Sequence, residues 1–93
     1  MVYVHELIAS PGSKESEQAA RVFREGRKFS HMIADTESEL VSFAVLIGLK
    51  KEWLQNTGTY RAHFDITTRR FNNIHKYPNV KVLTLREFGV LLR

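Results

Sequence analysis

Short β-branched segments alternate with helix-start signals along this chain, and that alternation points to an α/β sheet. Val2-Tyr3-Val4-His5 reads as a first strand. Thr36-Glu37-Ser38-Glu39 is a capping box, in which hydroxyl and carboxylate each satisfy a backbone N–H that a helix start leaves unpaired. Leu40, Phe43, Ala44 and Ile47 follow at i, i+3, i+4, i+7 spacing, which puts them on one helix face, and Gly48 closes the helix. Glu52-Trp53-Leu54-Gln55 reads as a short strand and Asn56-Thr57-Gly58-Thr59 as a turn. Tyr60 to Asp65 reads as an irregular approach to a helix that starts near Asp65 or Thr67 and runs to about Lys76. Phe71 and Ile74 face inward there, and Pro78 prevents continuation. Val80-Lys81-Val82-Leu83 alternates as a last strand, and a second capping box, Thr84-Leu85-Arg86-Glu87, opens a C-terminal helix through Phe88, Val90 and Leu91.

A further helix is expected over Lys14–Glu25, with Ser13 as N-cap and Gly26 as its stop. Its apolar content is thin, and residues 10–28 read as a loop-and-helix insertion free to move. The predicted order is β-α-α-β-α-β-α. It implies one small α/β domain over residues 1–93, with about three short strands, at least partly parallel, and helices packed on the sheet.

The chain has 93 residues and no cysteine, which excludes a disulfide scaffold, a thiolate zinc knuckle and a cysteine nucleophile. The longest apolar run, Phe43–Ile47, is far short of the roughly 20 residues a bilayer span needs. No charged segment precedes an apolar one at the start, so the expected location is the cytoplasm. Net charge is +4, unevenly spread. Residues 1–46 hold five Lys/Arg against seven Asp/Glu; residues 47–93 hold nine against three. A basic half attracts phosphates, nucleotides and nucleic acid.

Two polar segments carry the candidate chemistry. Ser30-His31-Met32-Ile33-Ala34-Asp35-Thr36 leads into the first secure helix, and Arg61-Ala62-His63-Phe64-Asp65-Ile66-Thr67 into the next. Each sets a histidine shortly before a helix-opening aspartate. His31, Asp35, His63 and Asp65 together offer two imidazoles and two carboxylates, a donor set that suits Zn, Mn or Fe. The plain structural alternative is that both aspartates cap helices and the histidines bond locally. Separately, Arg61, Arg69 and Arg70 with Thr67 and Thr68 suit a phosphate, and Trp53 or Tyr60 suits stacking on a base. His5, at the end of the first strand, is a third candidate histidine. His75 reads as a surface residue. No Walker loop, Gly-x-Gly-x-x-Gly or Gly-x-Ser-x-Gly elbow occurs, and sequence-specific DNA readout is not expected.

The sequence resembles a family of short bacterial and phage proteins known as domain of unknown function 4031. The resemblance is carried by Val2-Tyr3-Val4, by Ser30 to Thr36, by Glu39-Leu40 with Phe43-Ala44, by Ile47-Gly48-Leu49-Lys50-Lys51, by Trp53-Leu54-Gln55, by His63-Phe64-Asp65-Ile66 and by Arg86-Glu87. The family usually has an acidic residue where this chain has His5. The resemblance implies a compact α/β domain and no particular activity.

The leading expectation is a binding module that holds or sequesters a phosphate-bearing, nucleotide-like ligand; by analogy with the phage members of that family, it would counter host nucleotide immune signalling. In it Arg61, Arg69 and Arg70 meet phosphate, Trp53 or Tyr60 stacks, and His31, His63, Asp65 and Gln55 take hydroxyls and ring edges. Small size motivates a homo-oligomer. The first alternative is a metal-dependent hydrolase of a phosphodiester or nucleotide with His31, Asp35, His63 and Asp65 as ligands. The second is a protein-interaction module whose basic half docks on an acidic partner.

Overall fold

The computed structural model describes residues 1–9, 28–59 and 62–92. Among these, the sheet has five strands: β1 (Val2–His5), β2 (Ile8–Ala9), β3 (Lys28–Ala34), β4 (Phe64–Thr67) and β5 (Val80–Leu83). The described helices are α1 (Glu37–Leu46), α2 (Thr68–Ile74) and α3 (Leu85–Leu91), with a 3-10 turn at Lys51–Trp53. None of them is long and apolar enough to cross a membrane. The expected helix over Lys14–Glu25 lies outside the described residues.

The sheet is mixed. β1 runs parallel to β5 and antiparallel to β3, and β3 is antiparallel to β2 and β4 as well. Met32 of β3 stands opposite both Val4 and Phe64, and Phe29 opposite both Ile8 and Thr67. A strand has only two edges, so β1 and β2 share one edge of β3 and β4 takes the other.

Alternation along each strand divides the residues between two faces. Val2, Val4, Met32, Phe64 and Ile66 are fully buried on one face, under Leu40, Phe43 and Ala44 of α1 and Phe71 and Ile74 of α2. Burying a side chain of this size contributes about 1.5–3 kcal/mol. Tyr3, His5, His31, Ile33 and Asp65 project to the opposite face. There α3 sets Phe88 against Ile33 and Leu83 as a second, smaller apolar cluster.

The capping signals place the helices. Thr36 accepts the Glu39 N–H at 3.1 Å, but the Glu39 carboxylate meets the Met1 amine at 2.6 Å instead of returning to Thr36, so half of that box forms. Thr84 and Glu87 form a complete box. Gly48, at φ +90°, turns the chain away from α1, and the Arg70 guanidinium donates to the carbonyls of Ile47 and Gly48. A cation there opposes the negative end of the helix dipole.

Three sequence expectations change. The segment expected as a second strand is instead the 3-10 turn at Lys51–Trp53, and Gln55 alone bridges to His63. Asp65 does not open a helix. It sits in β4, and Thr67 is the N-cap of α2. Segment 28–34, where the sequence pattern predicts no strand, is the central strand. Its buried Phe29, Met32 and Ile33 do not alternate, because β3 buries residues on both of its faces.

One stretch of β3 lacks a regular ladder on the β1/β2 side. Pairing with β1 ends at Met32 and pairing with β2 begins at Phe29. Side chains fill the interval. Fully buried Ser30 accepts the His5 N–H at 3.1 Å, and its hydroxyl lies 2.9 Å from the carbonyl oxygens of His5 and His31. The His31 N–H donates to Nε2 of the His5 ring at 2.9 Å. Ser30→Ala removes the partner of a buried N–H, so a loss of about 1–3 kcal/mol is expected. Urea denaturation checks this, with the midpoint falling and the slope unchanged.

Candidate metal centre

Strand pairing sets His31 opposite Asp65, and the bridge between Gln55 and His63 brings a second imidazole alongside. One ligand atom each from His31, His63 and Asp65 lie within 4.8 Å of one another. His31 Nε2 is 3.4 Å and His63 Nε2 is 3.7 Å from the same carboxylate atom, Asp65 Oδ1. Two ligands held 2.0–2.1 Å from a tetrahedral ion lie about 3.4 Å apart, so both spacings fit one ion. The two imidazole rings meet edge to face, their centroids 5.1 Å apart.

The carboxylate is held asymmetrically. Oδ2 accepts a hydrogen bond from Gln55 Nε2 at 2.7 Å. Oδ1 is buried and has no hydrogen-bond donor among the described residues. A buried carboxylate oxygen without a donor is costly, and a cation is the natural compensation.

The wall around His31 is aromatic. Phe29 packs edge to face on it with centroids 5.1 Å apart, and Phe88 stacks at 6.4 Å. Behind it lies His5, 1% exposed, with Nδ1 2.6 Å from the Glu6 carbonyl oxygen and Nε2 2.9 Å from His31 Nδ1. Burial pushes both rings toward the neutral form. The His31 pKa falls to about 4, since desolvation outweighs the attraction of the Asp65 charge, and His5 is also lowered by burial. A neutral imidazole is the form that binds metal.

The other candidate residues are placed differently. Asp35 is exposed and accepts from the Tyr3 hydroxyl at 2.9 Å, with the Met1 amine 3.2 Å away, so it takes no part in the cluster. Arg70 caps α1, Arg69 is exposed, and Trp53 is partly buried against the main core with Lys50 Nζ 5.7 Å above its ring. Tyr60 and Arg61 lie outside the described residues. Gln55, expected to touch a ligand, holds Asp65. Phe88 carries no chemical signal in sequence, where its helical spacing reads only as core, yet it walls both His5 and His31.

A family model described as "Protein of unknown function (DUF4031)" matches residues 18–90. No curated protein and no solved structure matches the chain.

The histidine environment sets an acid limb on stability. His31 titrates near 4 when folded and near 6.5 when its surroundings are lost. Between those values the unfolded chain binds the extra proton, so stability rises as pH climbs from about 4 to about 6.5 and falls on acidification. Urea midpoints of chelator-treated protein across that range are expected to show this slope, and His31→Gln to reduce it, the remainder coming from His5.

Proposed function

We propose that this chain, which belongs to the DUF4031 family of proteins of unknown function, is a metal-dependent hydrolase of a phosphodiester or nucleotide. His31, His63 and Asp65 are its metal ligands. The observation that carries the reading is the convergence of two imidazole nitrogens on Asp65 Oδ1, a buried oxygen with no donor among the described residues. Two imidazoles and one carboxylate favour Zn, Mn or Fe over Ca or Mg, which prefer all-oxygen surroundings. Three protein ligands leave coordination positions for water and substrate, as in catalytic rather than structural sites.

A bound ion of this kind supplies a Lewis acid and hydroxide at neutral pH. The protein's own residues do the rest. Gln55 fixes the carboxylate so that Oδ1 faces the imidazoles. Phe29 and Phe88 keep one side of His31 dry, which strengthens every charge interaction in the site. The basic second half of the chain supports an anionic substrate. In the reaction, water oxygen bonds to phosphorus, the bond from phosphorus to the leaving oxygen breaks, and the proton that the water gives up passes to the leaving oxygen.

Metal content by mass spectrometry and titration with Zn²⁺ and Mn²⁺ are expected to give one ion per chain. Saturation at 100 times Kd adds about 2.7 kcal/mol of stability. Asp65→Asn keeps the Gln55 hydrogen bond but removes the charge. It is expected to weaken metal binding by more than the roughly 10–100-fold typical of outer-shell changes. Hydrolysis of a chromogenic phosphodiester or a nucleotide panel is expected to stop on chelation. Failure of every divalent ion to bind sinks the metal centre. Metal binding without turnover of any phosphate ester sinks the hydrolase. Nucleotide binding that survives chelation returns the metal-free binding module.

A further inference from the structure

We infer that His5 is a positioning residue for this metal centre: it holds His31 in the tautomer whose Nε2 carries the free lone pair. The inference rests on the metal-centre reading for its purpose, and on a chain of hydrogen bonds for its mechanism.

The chain starts at a backbone carbonyl. The Glu6 oxygen, 2.6 Å from His5 Nδ1, can only accept, so His5 Nδ1 carries a proton. His5 Nε2 accepts the His31 backbone N–H, so it carries no proton and the ring is neutral. Two atoms approach Nε2 at 2.9 Å, the His31 backbone nitrogen and His31 Nδ1. The backbone nitrogen always donates. Nδ1 must donate too, because a bare Nδ1 would set lone pair against lone pair. His31 is therefore protonated on Nδ1, and its Nε2 lone pair faces Asp65 Oδ1 at 3.4 Å. The tautomer of a metal-binding histidine is set by the bond its other nitrogen makes.

The rigidity of the arrangement comes from packing. His5 is 1% exposed, and Phe88 meets its ring edge to face with centroids 4.9 Å apart. The ring cannot swing away without breaking that contact and the Glu6 bond together. His5 lies on the far side of His31 from Asp65, so it orients a ligand and is not one.

Two variants and two readouts test this. His5→Phe keeps a ring against Phe88 and deletes both nitrogens. His5→Gln returns an acceptor oxygen toward His31 Nδ1. The first readout is the nitrogen-15 spectrum of His31 in chelator-treated protein, which reports the tautomer with no metal present. The second is Zn²⁺ affinity. The wild-type spectrum is expected to show His31 protonated on Nδ1. In His5→Phe the two tautomers should mix and Zn²⁺ affinity should drop about 10–100-fold. His5→Gln should recover part of both. A purely structural role for His5 would move stability without moving the tautomer.

Wild-type His31 protonated on Nε2 overturns the inference, whatever the variants do. So does a folded His5→Phe that binds Zn²⁺ as tightly as wild type. If His5→Phe does not fold, the wild-type spectrum and His5→Gln decide. A wild type that binds no metal but shows the Nδ1 proton removes the metal centre, and the positioning role with it, while leaving the hydrogen-bond chain standing.

Discussion

The interval in β3 between Phe29 and Met32 is the constraint on which the rest of the molecule turns. There the ladder passes from one neighbouring strand to the next, and backbone groups of His5 and His31 would otherwise be left unpaired in a buried place. Buried peptide groups must find partners. Ser30 supplies a hydroxyl and His5 supplies a ring nitrogen. The same two side chains that close the ladder also fix where His31 stands. Structure and site are thus one hydrogen-bonded unit.

The sheet then converts strand register into chemistry. His5, His31 and Asp65 belong to three adjacent strands and project to one face, forming a polar row across the sheet. The opposite face is apolar and held by α1 and α2. That division lets the molecule carry ionisable groups without sacrificing its main core. Among the described residues, α3 covers the polar face through Phe88, and His31 and Asp65 are partly exposed. A site enclosed on one side by aromatic rings and open on the other can bind an ion and still admit a substrate.

How much of this was legible differs residue by residue. The helix after Thr36 and the one after Thr84 could be read directly, because caps and 3.6-residue periodicity are local signals. β1 and β5 are legible from β-branched residues and, in β5, two-residue alternation, which are local signals as well. β3 is not, since a central strand with both faces buried shows no alternation, and its Ser30 and His31 read as part of a polar approach to the next helix. Asp65 was misplaced because an aspartate ahead of Thr67 and Thr68 imitates a helix start, while Phe64 and Ile66 on either side of it are buried strand residues. His31, His63 and Asp65 stood out by chemical type. Asp35 stood out equally, and nothing local separates it from them; its partners are Tyr3 and the Met1 amine, 32 and 34 residues away in sequence.

The sequence by itself determined the class of the fold, the positions of α1 and α3, and a short set of residues able to bind metal or anions. These follow from interactions between residues a few positions apart, which any reader of the chain can count. Tertiary structure decided which of those residues meet. His5 and His31 are separated by a segment of unrelated composition, and His31 and Asp65 by an entire helix and turn. Their contact depends on strand order and register, which are set by long-range burial of Val4, Met32 and Phe64 rather than by any local pattern.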